Sequence, residues 1–140
     1  MVSKTKNKYS CPVDLNGVTD IFYNKSPAHK DSYKDGIYNQ AVDFICPEGI
    51  SIKAALGGKV VEVVCNNGIG GDNERFDKFA NYIEIEHPNG EYSEYEHLKK
   101  GSALVNVGDE VKAGQPIAES GATGWLAGLG PHLHFMVGIY

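Results

Sequence analysis

The sequence predicts an all-β domain built on a single antiparallel sheet, and three observations carry that prediction. Short segments rich in β-branched and aromatic residues recur along the chain, most with alternating apolar and polar positions. Gly, Pro or Asn-Gly separates them, and seventeen glycines are more than helices would tolerate. No stretch carries a sustained helical period with caps, so any helix is expected to be short.

Taken in order, residues 9–40 are rich in Asp, Asn, Lys, Ser and Tyr, and "NKSPAHKDSYKDG" reads as a long surface loop. Strands are expected at "AVDFIC" (41–46), "SIKAA" (51–55), "KVVEVVC" (59–65), "NYIEIEH" (81–87) and "EYSEYEHL" (91–98). Three more are expected at "EVKA" (110–113), "PIAES" (116–120) and "HLHFMVG" (132–138). "HPNGEY" (87–92) is a hairpin turn, because Asn-Gly supplies the positive φ pair that tight hairpins require. "CNNGIGGDNERFDKFA" (65–80) is an insertion between strands. Long loops in compact domains are usually functional, so this insertion and the first loop are candidates for the rim of a binding groove.

The 140 residues fit one domain with an ordinary hydrophobic core. A net charge of −5 argues against a nucleic-acid partner, whose phosphates call for a basic face. No apolar run reaches the ~20 residues of a membrane span. "MVSKTKNKYS" has no signal-peptide apolar region, so the expectation is either a cytosolic protein or one whose leader has been removed. Cys11, Cys46 and Cys65 lack metal-type spacing and read as buried thiols, or as one bridge and one free thiol.

The residues that could carry chemistry are few. In "PHLHF", strand alternation points His132 and His134 to the same face, ~7 Å apart along the strand. In "YEHL", alternation puts Tyr95 and His97 on one face and Glu94 and Glu96 on the other. His87, before the turn, is expected to face solvent, and His29 lies in the first long loop. Asp43 interrupts an apolar strand, where an ionised carboxylate must be paired, hydrogen-bonded or bound to metal. Asp43 with two or three of His29, His97, His132 and His134 would suffice for a zinc site.

"AVDF", "PEGISIKAALGGKVVEV", "NYIEIEHPNG", "YEHL", "VNVGDEVKAGQPIAESGATG" and "GPHLHF" resemble, in this order, the lysostaphin-like (LytM-type) zinc metalloendopeptidases. The similarity covers about residues 39–138, with 1–38 left as an extended N-terminal segment and loop. The resemblance implies an antiparallel β domain with a narrow groove walled by loops, which cleaves peptide bonds in peptidoglycan stems or cross-bridges. It implies zinc ligation by Asp43 and His134 and catalytic roles for His97 and His132. It further implies a monomer of the secreted or cell-envelope compartment.

One position departs from the family. Four residues before Asp43, where the family has its first histidine ligand, stands Asn39. A neutral amide oxygen suits hard cations better than zinc. Three readings stay open: Asn39 is a poor ligand, the site is degenerate, or another residue takes the place, with His29 the preferred replacement. Asn39 also supports the rival expectation of a catalytically degenerate module that binds cell wall or regulates other hydrolases. A biotinyl-type carrier is disfavoured because no lysine context follows the "GDEVKAGQPI" hairpin. A paired-histidine phosphocarrier leaves Asp43 unexplained.

Overall fold

The computed structural model describes residues 5–23 and 40–139. The main sheet has seven antiparallel strands: β1 (Asp20–Tyr23), β2 (Gln40–Ile45), β4 (Gly58–Val64), β6 (Tyr82–Glu86), β7 (Glu91–Glu96), β8 (Glu110–Val111) and β11 (His132–Ile139). Their order across the sheet is β1-β2-β11-β7-β6-β4-β8. Two small ribbons flank it. One pairs β3 (Ser51–Lys53) antiparallel with β9 (Pro116–Glu119); the other pairs β5 (Gly70–Gly71) parallel with β10 (Gly124–Trp125). Among the described residues the only helices are short 3-10 turns, as expected from the missing helical period.

Each of the eight expected strands is present, with ends that differ by a few residues. The Asn-Gly turn also forms as expected, with Asn89 at φ 66° and Gly90 at φ 70°. Strand alternation divides the sheet into two faces of different chemistry. Phe44, Ile83, Ile85, Tyr95, Leu133, Phe135 and Val137 point into the core, where they meet Ile52, Leu98 and Ile117. Asp43, Glu84, His132 and His134 belong to the opposite face, one position out of phase with these neighbours. The register between strands is strongly specified, because a slip of one residue would exchange the two sets.

The "NKSPAHKDSYKDG" stretch read as a surface loop lies outside the described residues, but the part of the irregular first region before it is ordered. Val13 is buried and bridges to Ile52, residues Leu15–Gly17 form a 3-10 turn, and β1 adds an edge to the sheet. His87 corrects a second expectation: it is buried, at 5% exposure, rather than solvent-facing. Its Nδ1 faces the Gly57 carbonyl at 2.8 Å, and its Nε2 lies 2.7 Å from Ser93 Oγ. Ser93 Oγ is 3.0 Å from Tyr95 Oη, which accepts from the Ala55 N–H at 2.8 Å. Burial holds the His87 pKa below its usual value, so the ring is a neutral member of a closed polar network. The three cysteines are free thiols, with only Cys46 buried.

Glu91, at the start of β7, fastens the N-terminal segment to the sheet. Its carboxylate has no exposed surface and accepts from the Lys6 N–H at 2.6 Å, the Asn7 N–H at 3.2 Å and Tyr9 Oη at 2.9 Å. Burial alone would raise its pKa, but the hydrogen bonds from Lys6, Tyr9 and Asn7 outweigh that and hold it below the usual carboxylate range. A depressed carboxylate stabilises the fold above its unfolded pKa, and that contribution is lost as pH falls through the folded value. Glu91→Gln is therefore expected to cost about 2 kcal/mol at neutral pH. Urea unfolding at pH 7, 5 and 3 should show the gap to wild type closing as the pH drops.

Candidate metal centre

Three adjacent strands bring the polar residues together. In the β2–β11–β7 register, Asp43 is directly opposite His134, and His134 is directly opposite Glu96. His132, two positions before His134, falls on the same face as the paired-histidine reading requires. His134 Nδ1 lies 3.0 Å from Asp43 Oδ1, and His132 Nε2 lies 3.6 Å from the same oxygen. Asp43 is fully buried, and His132 and His134 are buried beside it.

His97 reaches this group by breaking the alternation. Tyr95, two residues earlier, is in the core, and strict alternation would send His97 there too. Instead His97 takes a left-handed conformation at φ 66°, immediately after β7 ends. That turn carries its ring to the other face, with its centroid 4.5 Å from that of His132 and 6.0 Å from that of His134. The expected grouping of His97 with Tyr95 is thus corrected. The grouping with the histidine pair holds.

The turn is secured from behind. His97 Nδ1 faces the Thr123 carbonyl at 2.7 Å, and Thr123 Oγ1 donates to the Leu98 carbonyl at 2.8 Å. Asn81, fully buried at the head of β6, donates its N–H to Thr123 Oγ1 and its side-chain amide to Leu98 and Asn67 carbonyls. Next to this network β5 pairs with β10. A Cβ on Gly70 would lie 1.7 Å from the Ala122 carbonyl oxygen, and one on Gly124 would lie 2.6 Å from the Ala80 Cβ. Only glycine permits those two loops to approach so closely. Trp125 lies in β10 and is half-buried there.

The protonation pattern follows from the partners. A neutral imidazole nitrogen that faces a carbonyl carries the ring hydrogen, so His97 has its lone pair on Nε2. His132 Nδ1 likewise faces a carbonyl, that of Gly130 at 2.8 Å. Burial, reinforced by His132 and His134, pushes the His97 pKa down to about 3, so this ring is neutral. Glu94 and Glu96 behave oppositely. Burial raises both, Glu94 to about 9 with further help from the Glu96 charge, so Glu94 holds a proton and shares it with Glu96.

This donor set fits zinc. Two ligands on a tetrahedral zinc, each at ~2.0–2.1 Å, stand about 3.3 Å apart, close to the 3.0 Å between Asp43 Oδ1 and His134 Nδ1. Glu96, His97 and His134 also bring one donor atom each within 4.8 Å of one another. His29 and Asn39 lie outside the described residues. The reading of the sequence missed Glu96, Thr123 and Asn81 as parts of this region. The Glu96 position depends on the pairing of β7 with β11, and the other two act through hydrogen bonds, neither of which periodicity encodes.

The left-handed corner yields a stability prediction. Asparagine tolerates positive φ better than alanine and keeps an amide donor toward Thr123. His97→Asn should be about 1 kcal/mol more stable than His97→Ala by chemical denaturation.

Residues 37–139 match peptidase family M23. Over 99 residues the chain is 40% identical to the peptidoglycan DD-endopeptidase ShyB of Vibrio cholerae, covering 71% of this chain and 20% of that protein. It is 39% identical over 102 residues to lysostaphin of Staphylococcus simulans, covering 72% and 18%. Among solved structures, a zinc-containing peptidase from Vibrio cholerae superposes with a TM-score of 0.66 at 31% identity, over 95% of this chain and 37% of that one. Lysostaphin from Staphylococcus simulans superposes with a TM-score of 0.64 at 32% identity, over 96% and 48%. The chain spans about a fifth of the length of these curated relatives. By its matched length and by the fold it shares with these structures, the chain belongs to peptidase family M23 and carries a lysostaphin-like all-β domain.

Proposed function

We propose that this chain is a zinc-dependent endopeptidase that hydrolyses peptide bonds of peptidoglycan stems or cross-bridges. The observation that carries the reading is the 3.0 Å contact between Asp43 Oδ1 and His134 Nδ1, flanked by the rings of His97 and His132. Asp43 and His134 would hold the metal. His29 is proposed as the third ligand in preference to Asn39, because an imidazole nitrogen suits zinc better than a neutral amide oxygen. When bound, zinc would lower the pKa of water toward ~7 and polarise the scissile carbonyl.

The protein's own residues then move the protons. His132 Nε2, bare in the neutral ring, accepts the proton of the attacking water. The resting His97 ring has no hydrogen on Nε2, and with its centroid 4.5 Å from that of His132 it is placed to accept a hydrogen bond from the attacking water and orient it. Hydroxyl adds to the carbonyl carbon, the C–N bond breaks, and the proton leaves with the amine. Peptidoglycan lies outside the cytoplasmic membrane, which places the working enzyme in the envelope or medium, acting as a monomer. Among the described residues, no helix is long and apolar enough to cross a membrane.

Asn39 favours a second reading, a degenerate domain that binds wall or regulates a hydrolase without cutting. Metal analysis and digestion of purified peptidoglycan, with mass spectrometry of the fragments, separate the two. Asp43→Ala and His134→Ala should lose zinc. His97→Ala and His132→Ala should keep it and lose at least ~10²-fold in hydrolysis. His29→Ala should weaken zinc binding where Asn39→Ala does not. Intact peptidoglycan after incubation with the zinc-loaded wild type would rule out the enzyme reading.

A further inference from the structure

We propose that Glu96 is a positioning residue that orients the metal ligand His134, a role that rests on the zinc reading above. The His134 ring sits between two carboxylates, with Asp43 Oδ1 at 3.0 Å from Nδ1 and Glu96 Oε2 at 3.7 Å from Nε2. Glu96 is the cross-strand partner of His134, so the backbone pairing of β7 with β11 fixes this placement. Its side chain is about a quarter exposed, at 27%, which leaves the charge only partly screened by water.

The two nitrogens of one imidazole point away from each other, so one metal ion cannot take both. With Nδ1 committed to a metal shared with Asp43, the ring's hydrogen stands on Nε2 and faces Glu96. At 3.7 Å this is a charge contact longer than a hydrogen bond. Metal binding at Nδ1 makes the Nε2–H more acidic and strengthens its attraction to the carboxylate. A carboxylate behind a ligating histidine fixes the ring's tautomer and direction and raises its basicity toward the metal. Glu96 is thus placed to favour the tautomer that leaves Nδ1 free for the metal, although apo His134 can also donate from Nδ1 to Asp43.

The test uses the full chain and zinc itself. Zinc affinity is measured by competition with a chromophoric chelator at one neutral pH for wild type, Glu96→Ala, Glu96→Gln and Asp43→Ala. The His134 ring hydrogen is followed by proton–nitrogen NMR of the zinc form. Glu96→Ala should bind zinc ~10–100-fold more weakly at unchanged stoichiometry. Glu96→Gln, which keeps an acceptor but not the charge, should fall between it and wild type. The Nε2–H signal should be sharp in wild type and broadened by exchange in Glu96→Ala. Wild-type affinity in both Glu96 variants, with zinc lost in Asp43→Ala, would overturn the role of Glu96 and leave the zinc reading intact. Wild-type binding in Asp43→Ala would overturn the zinc reading itself. Loss of stoichiometric zinc in Glu96→Ala would make Glu96 a ligand and end the positioning proposal. Urea unfolding of the metal-free proteins checks that each variant folds, and the nearly isosteric Gln variant keeps the test decisive if Ala does not.

Discussion

The carboxylate of Asp43 lies on a central strand of the sheet with no exposed surface, and an ionised group there cannot exist without close compensation. A hydrogen-bond partner comes from the next strand, where His134 Nδ1 meets it at 3.0 Å. This arrangement needs β2 and β11 in one register only. Apolar alternation enforces the same register, since Phe44, Leu133 and Phe135 reach the core only when Asp43 and His134 are opposite each other. The core therefore positions the polar group, and the polar group adds no independent demand on the fold.

His97 is held by a different device. A left-handed conformation at a residue with a bulky side chain costs about 1 kcal/mol and needs surrounding structure to enforce it. Thr123 and Asn81 supply that structure through hydrogen bonds to the Leu98 carbonyl and through the Thr123 carbonyl at the His97 ring. Because Thr123 belongs to the segment that leads into β10, the histidine and the β5–β10 ribbon share one support. A change in that ribbon would be felt at the His97 ring without touching it.

Strands with apolar alternation were legible because alternation is itself the physical cause of their burial. The two-residue strands β5 and β10 are too short to show a period. β1 exposes Ile21 and Tyr23 at the sheet edge, so its apolar residues report no buried face. Alternation misplaced His97 because the strand ends one residue before it, and a single φ value reverses the side. His87 was misjudged because its position beside a turn suggested exposure, whereas Ser93 and the Gly57 carbonyl give its polar atoms buried partners. The shared face of His132 and His134 was readable from periodicity, and Asp43 joined them through its place in an apolar strand and through the resemblance. The pairing of Glu96 with His134 required the order of strands, which sequence pattern does not encode.

The face of the sheet that holds Asp43 and His134 also carries an unusual load of acid. Glu62 is opposite Glu84, Glu84 is opposite Glu94, and Glu94 shares a proton with Glu96 in the row beside His134. Like charges placed directly across strands destabilise a sheet, and here one of them is relieved by protonation of Glu94. A face that concentrates carboxylates beside the His97, His132 and His134 rings favours a multivalent cation electrostatically, whichever residues complete a metal site there.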